Sequence, residues 1–141
     1  MHRISIALAI AMTVPPAAFA NGDDLPPQLV GPDWQVLQIG DEDLPEDVEV
    51  TLTMGEDGRL AGAGGCNRYF AGYEVTDGTI SVAEIASTMM ACEEARMALE
   101  RRYFDALSRV ETYAFDEDGL LVLSDADGVA ITARAGDAEE D

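Results

Sequence analysis

Val48-Glu49-Val50-Thr51-Leu52-Thr53-Met54-Gly55-Glu56-Asp57-Gly58-Arg59-Leu60 carries the pattern from which the rest of the chain can be read. Val48, Val50, Leu52 and Met54 alternate with polar residues, the two-residue period of a strand with one face buried. Asp57-Gly58 then follows as a hairpin turn, because both residues tolerate the positive φ that a type I′ turn requires. The same dipeptide recurs at Asp77-Gly78, Asp118-Gly119 and Asp127-Gly128. Tyr69 to Val75 and Thr79 to Val82 flank the second turn, and Thr112 to Phe115 leads to the third. Val129, Ile131 and Ala133 alternate after the last. Leu120 to Leu123 is a continuous apolar run, the pattern of a strand buried on both faces, and Trp34 to Ile39 is a further strand at the start. Asp116-Glu117-Asp118 and Asp125-Ala126-Asp127 resemble half of a calcium ligand set. Neither loop supplies the further acid, glycine and bidentate glutamate of an EF-hand, so they are read as plain turns and no metal site is expected.

One segment breaks the alternation. From Glu93 to Val110 the apolar residues Leu99, Tyr103, Ala106, Leu107 and Val110 recur at helical spacing, while Glu100, Arg101, Asp105 and Ser108 are assigned to other faces. Glu93 and Glu94 fall in the first turn, where carboxylates complement the positive end of the helix dipole. A helix set after about five strands and before about three more gives an α+β chain. The expected architecture is a bent antiparallel sheet forming a partly open β-barrel with one packed α-helix.

The 141 residues contain 28 acids, 8 basic residues and 1 histidine, a formal net charge of −20. All the basic residues are arginine. So acidic a surface repels nucleic acid and anionic headgroups, and both are discarded as partners. The histidine is His2, within a segment with the form of a secretory signal. Met1-His2-Arg3 precedes the apolar run Ile4 to Val14, and Ala18 and Ala20 give a small-x-small end, so cleavage is expected between Ala20 and Asn21. The apolar run is too short to cross a hydrocarbon core of about 30 Å, and Pro15-Pro16 would interrupt a longer helix. The expected product is periplasmic or secreted, carries no membrane-inserted segment and has a net charge of −21, because only Arg3 among the charged residues is removed. It contains no histidine, hence no Ser-His-Asp or Cys-His pair, no imidazole metal ligand and no ordinary base near neutrality. No catalytic residue and no cofactor is expected. Residues 21–32, rich in glycine and proline, read as a flexible lead; 33–134 form the domain; 135–141 read as a disordered acidic tail.

Cys66 and Cys92 are an even pair in an exported chain, where oxidising conditions favour a disulfide. The bond would close a loop of about 26 residues and contribute on the order of 3 to 4 kcal/mol. A reactive thiol is the alternative, since Cys92 precedes a helix N-terminus, but neither cysteine has a C-x-x-C partner or an activating base. Around Cys66, the run Gly62-Ala63-Gly64-Gly65-Cys66-Asn67 lacks the lysine and Ser/Thr of a phosphate-binding loop. Its glycines suit positive φ or close backbone packing at a tight corner, where Asn67 can bond to backbone.

Trp34-x-x-Leu37, Asp57-Gly58-Arg59-Leu60-x-Gly62, Gly65-Cys66-Asn67, Gly72-Tyr73 and Thr88-Met89-Met90-Ala91-Cys92 occur in that order. Glu100 follows, with Phe104, Leu107, Val110 and Tyr113. This order resembles the META domain of the HslJ heat-shock protein family, from Trp34 to about Arg134. The resemblance implies a compact, partly open β-barrel with one helix, an exported or envelope-attached chain, and no established catalysis. It also implies an association with heat induction and with tolerance of the hydrophobic antibiotic novobiocin. Gly65, Cys66, Asn67, Thr88 and Cys92 take the family's motif positions, with Gly64 at the same corner. The chain departs from the family in its acidity and in lacking a lipid-attached cysteine.

Two functions are carried forward, both for a chain expected to be a monomer. In the first, an apolar mouth between sheet and helix, lined by Met89, Met90 and Met97, takes a small hydrophobic ligand or an envelope protein in stress response or envelope maintenance. Those methionines filling core gaps is the plainer reading. In the second, the domain has no pocket and is a structural interaction module.

Overall fold

The structure, a computed structural model, describes residues 26–136. The signal peptide read at 1–20, residues 21–25 of the lead and 137–141 of the tail lie outside the described residues. Nine strands and one helix are present among the described residues: β1 Asp33–Ile39, β2 Glu42–Asp43, β3 Thr51–Met54, β4 Arg59–Ala63, β5 Arg68–Thr76, β6 Thr79–Ser87, α1 Glu94–Arg109, β7 Thr112–Phe115, β8 Leu121–Asp125 and β9 Gly128–Ala135.

All pairings are antiparallel, and β1 pairs with β3 on one side and β9 on the other, so the sheet closes into a ring with β2 as a short addition to β1. The ring is uneven. Between β6 and β7 only Thr79 and Thr112 pair in register, supported by backbone bonds from Ile80 N to Glu111 O (2.9 Å) and from Tyr113 N to Gly78 O (3.0 Å). The partly open barrel follows from this narrow seam, and α1 packs against β6, β9 and β1. Inward residues of the strands and Leu99, Tyr103 and Leu107 of the helix make one continuous core, with Trp34, Tyr69 and Tyr103 its largest members.

Several expectations change. A type I′ turn forms only at Asp77-Gly78, where both residues have positive φ (42° and 87°). At Asp57-Gly58 and Asp118-Gly119 only the glycine is left-handed (φ 81° in each), closing longer loops in which Gly55 N bonds Arg59 O and Asp116 N bonds Leu120 O. Leu120 to Leu123 is not buried on both faces: Leu121 and Leu123 point inward and Val122 is half-buried. A bulge between Leu123 and Ser124 shifts β9, so Ala130 and Ile131 both face the core and Val129 lies outside. The lead is not free of the domain over its described part. Leu29 is fully buried, Val30 nearly so, and Leu29 O accepts a hydrogen bond from Trp34 Nε1 (3.0 Å). Ala135, read as the start of the tail, is the last residue of β9 and pairs with Trp34.

Candidate functional site

The segment joining β4 to β5 turns sharply at Gly64 to Asn67, closed by a bond from Gly64 N to Asn67 O (2.8 Å). Two glycines there are required by geometry. Gly65 has φ 106°, a left-handed value, and a Cβ on Gly64 would approach Glu100 Oε2 to 2.9 Å and the Phe104 ring to 3.0 Å. Their smallness brings α1 onto the corner, and Glu100 fills the space. Its Oε2 accepts hydrogen bonds from Cys66 N (3.0 Å) and Asn67 N (2.5 Å), and its Oε1 accepts from Asn67 Nδ2 (2.8 Å). Glu100 is buried and makes no ion pair among the described residues. This corrects its assignment to a polar face of the helix: Glu100 precedes Tyr103 by three positions and Leu107 by seven, both on the buried stripe.

Asn67 extends the network to the other side. Its Oδ1 accepts from Thr88 Oγ1 (3.0 Å) and Met90 N (2.6 Å), while Thr88 and Arg68 bond mutually through Arg68 N to Thr88 Oγ1 (3.2 Å) and Thr88 N to Arg68 O (3.0 Å). Cys66 and Cys92 are joined, with Cα atoms 6.0 Å apart. The irregular stretch between β6 and α1 is thus tied down at alternate positions, Thr88, Met90 and Cys92, and the residues between are displayed. Met89 is 93% exposed and Met90 59%. Phe70, two residues beyond Arg68 on the outer face of β5, is 51% exposed. Its neighbours across the strands are Ala61 on β4 and Ala86 on β6.

The methionine expectation needs correction here. Met89 and Met90 stand on the outside of the molecule because their segment is held from its backbone, and they neither line a mouth beneath the helix nor fill a core gap. Met97 is half-buried on α1. Under the helix the space is occupied by aromatic rings: Tyr69 contacts Tyr103 and Phe104 edge-on, with centroids 5.4 and 5.3 Å apart. The Tyr69 and Tyr103 hydroxyls hydrogen-bond each other, and Tyr69 Oη donates to Thr51 O (2.7 Å). Burial raises the pKa of both phenols, and for Tyr103 the adjacent Tyr69 raises it further.

The family profile described as META domain matches residues 27–137. The chain belongs to the META domain family. No curated protein matches it. Among solved structures it is similar to a protein from Burkholderia xenovorans, determined by NMR, at 22% identity and a TM-score of 0.64, covering 94% of this chain and 99% of that one. A second NMR structure, described only as a protein, matches at 16% identity with the same TM-score, covering 86% of this chain and all of the other. At these identities the likeness concerns the fold.

In this META domain the motif residues Gly64, Gly65, Cys66, Asn67, Thr88 and Cys92 converge on one corner, and Glu100 joins them from the helix. The corner binds chain to chain: among the described residues every buried side-chain nitrogen and oxygen has a hydrogen-bond partner. No group of three or more His, Cys, Asp or Glu side chains among the described residues is arranged to hold a metal ion. A cleft of about 770 Å³ lies elsewhere, between the ends of β1, β3 and β9, where Asp33, Gln35, Glu49, Thr51 and Arg134 line it. Arg134 is held there by Gln35 Oε1 (2.9 Å). Pro32, Trp34 and Ala135 share this lining with the charged and amide groups, so it is mixed in character and is not the apolar mouth expected beneath the helix. No helix among the described residues is long and apolar enough to cross a membrane.

Proposed function

We propose that this META domain is an exported, non-catalytic protein of the HslJ type that serves the cell envelope under stress by holding a protein segment on its outer surface. One observation carries the reading: Met89, Met90 and Phe70 are exposed on backbone fixed by a disulfide and by the Asn67 and Glu100 bonds. Exposing large apolar side chains costs about 1.5 to 3 kcal/mol each relative to burial. A flexible segment could fold them away; this one is pinned with them outside. With Met89 93% exposed these side chains stand out from the molecule, which favours a protein segment over a small hydrophobic molecule needing enclosure. Methionine side chains adapt to varied apolar partners.

A photo-cross-linking residue placed in turn at positions 89, 70 and 117 tests this in intact cells. Adducts at 89 and 70 and none at the exposed turn position 117 are expected. Equal labelling at all three, or none, sinks the surface reading. The export part has its own check: the envelope-fraction protein should begin at Asn21.

A further inference from the structure

We infer that the surface bearing Phe70, Met89 and Met90 takes a cationic amphipathic polypeptide segment, an inference that rests on the surface-binding reading above and adds the chemistry of the partner. The apolar side of such a segment would meet the methionines and the phenylalanine. Its charge is set by what surrounds them. Glu84 at the β6 bulge and Glu93 and Glu94 at the start of α1 are all exposed and lie within a few residues of Ala86, Met89 and Met90. Two exposed arginines flank Phe70 on that outer face, Arg68 on β5 and Arg59 on β4 two residues from Ala61, so the three carboxylates outnumber the cations and stand on the methionine side.

The rest of the chain deepens the imbalance. Of its few arginines, Arg102 bonds Glu42 (2.7 Å), Arg109 bonds Asp105 (3.2 Å), Arg96 approaches Asp47 (3.8 Å) and Arg134 is bonded to Gln35 (2.9 Å). Against 28 acids these leave a strongly negative field over the whole molecule. A field of that sign draws a cationic chain to the surface and raises its association rate, while it repels a second copy of this protein. Alternate anchoring at Thr88, Met90 and Cys92 also means that the display segment loses little conformational freedom on binding.

The test titrates the purified protein against three fluorescent peptides: a helical amphipath of leucine and lysine, the same peptide with glutamine for lysine, and a lysine-leucine peptide whose leucines are scattered around the helix. The lysine amphipath should bind about tenfold or more tightly than the other two. Its affinity should fall with added salt, and should drop about tenfold in a Met89→Ser, Met90→Ser double variant. Both positions are exposed, so the variant should melt with the wild type. Equal binding of the glutamine amphipath overturns the charge inference and leaves the surface reading intact. Equal binding of the scattered peptide, or unchanged affinity in the serine variant, identifies mere adsorption to an acidic surface and overturns it as well. If no peptide binds, the inference fails, and cross-linking at position 89 separately decides the surface reading.

Discussion

Glu100 is a buried acid held by direction, with three N–H donors aimed at its two oxygens and no ion pair among the described residues. Glu100→Gln keeps the shape but replaces one accepting oxygen with an NH₂ group, which cannot accept from the donors facing it. A loss of about 1 to 3 kcal/mol in urea unfolding is expected, whereas exposed Glu94→Gln should stay within about 0.5 kcal/mol. Equal shifts in the two variants would show that the corner bonds contribute nothing net. The tyrosines act in another pH range. Burial raises the pKa of Tyr69 and Tyr103 above the ordinary phenol value of 10.0, so the folded state favours their neutral forms. That contribution is complete below pH 10 and is lost as pH rises past it toward the folded-state values. Phenolate absorbance from these two residues should therefore appear together with loss of structure in an alkaline titration; its appearance in a still-folded protein would contradict their burial. The cysteine pair and the glycine corner were legible in the sequence because an even cysteine count and the backbone freedom of glycine are read from the residues themselves. Glu100 was not, because an apolar stripe is read from apolar residues and a carboxylate on it is scored as a face change.

Strand β6 changes face midway: Val82 points inward, Ala83 and Glu84 both point out, and Ile85 turns in again. Opposite them Ala71 sits alone between Phe70, which pairs with Ala86, and Gly72, which pairs with Ala83. The bulge holds Glu84 at φ 58°, a left-handed conformation that costs a side-chain-bearing residue on the order of 1 kcal/mol. Glu84→Gly should raise stability by about 0.5 to 1 kcal/mol, and Glu84→Val should lower it by at least as much, both read by thermal melting. A Gly variant less stable than wild type would mean that the carboxylate makes a contribution larger than the strain. Bulges also mark where sequence reading stopped working for elements. Strand existence followed from alternation and turn residues, and Trp34 to Ile39, Tyr69 to Val75 and Thr112 to Phe115 all lie in strands. The extra residue in β9 put Ala130 beside Ile131 in the core and Val129 outside, a choice set by pairing with β8 that no two-residue period contains.

At the scale of the molecule, the domain reaches further than its glycine and proline content implies. Leu29 and Val30 are too few to read as an element, yet they close the core beside Trp34, since a buried indole N–H needs the acceptor that Leu29 O provides. The charge has the opposite character: it was plain from composition and acts without any particular contact. With a net charge of −20, carboxylates repel one another across the compact state more than across the expanded one. Screening shortens the reach of that repulsion from about 30 Å in 0.01 M salt to below 10 Å above about 0.15 M. Melting temperature at pH 7 should therefore climb by several degrees as sodium chloride is raised from about 0.01 M to about 0.5 M. Sulfate would blur the result, because it also strengthens apolar burial. A second series near the sequence pI of about 4.1 separates the causes, since there the net charge vanishes and with it the repulsion to be screened. A salt response of the same size at both pH values would assign it to general effects of salt on burial and remove self-repulsion from the account of this fold.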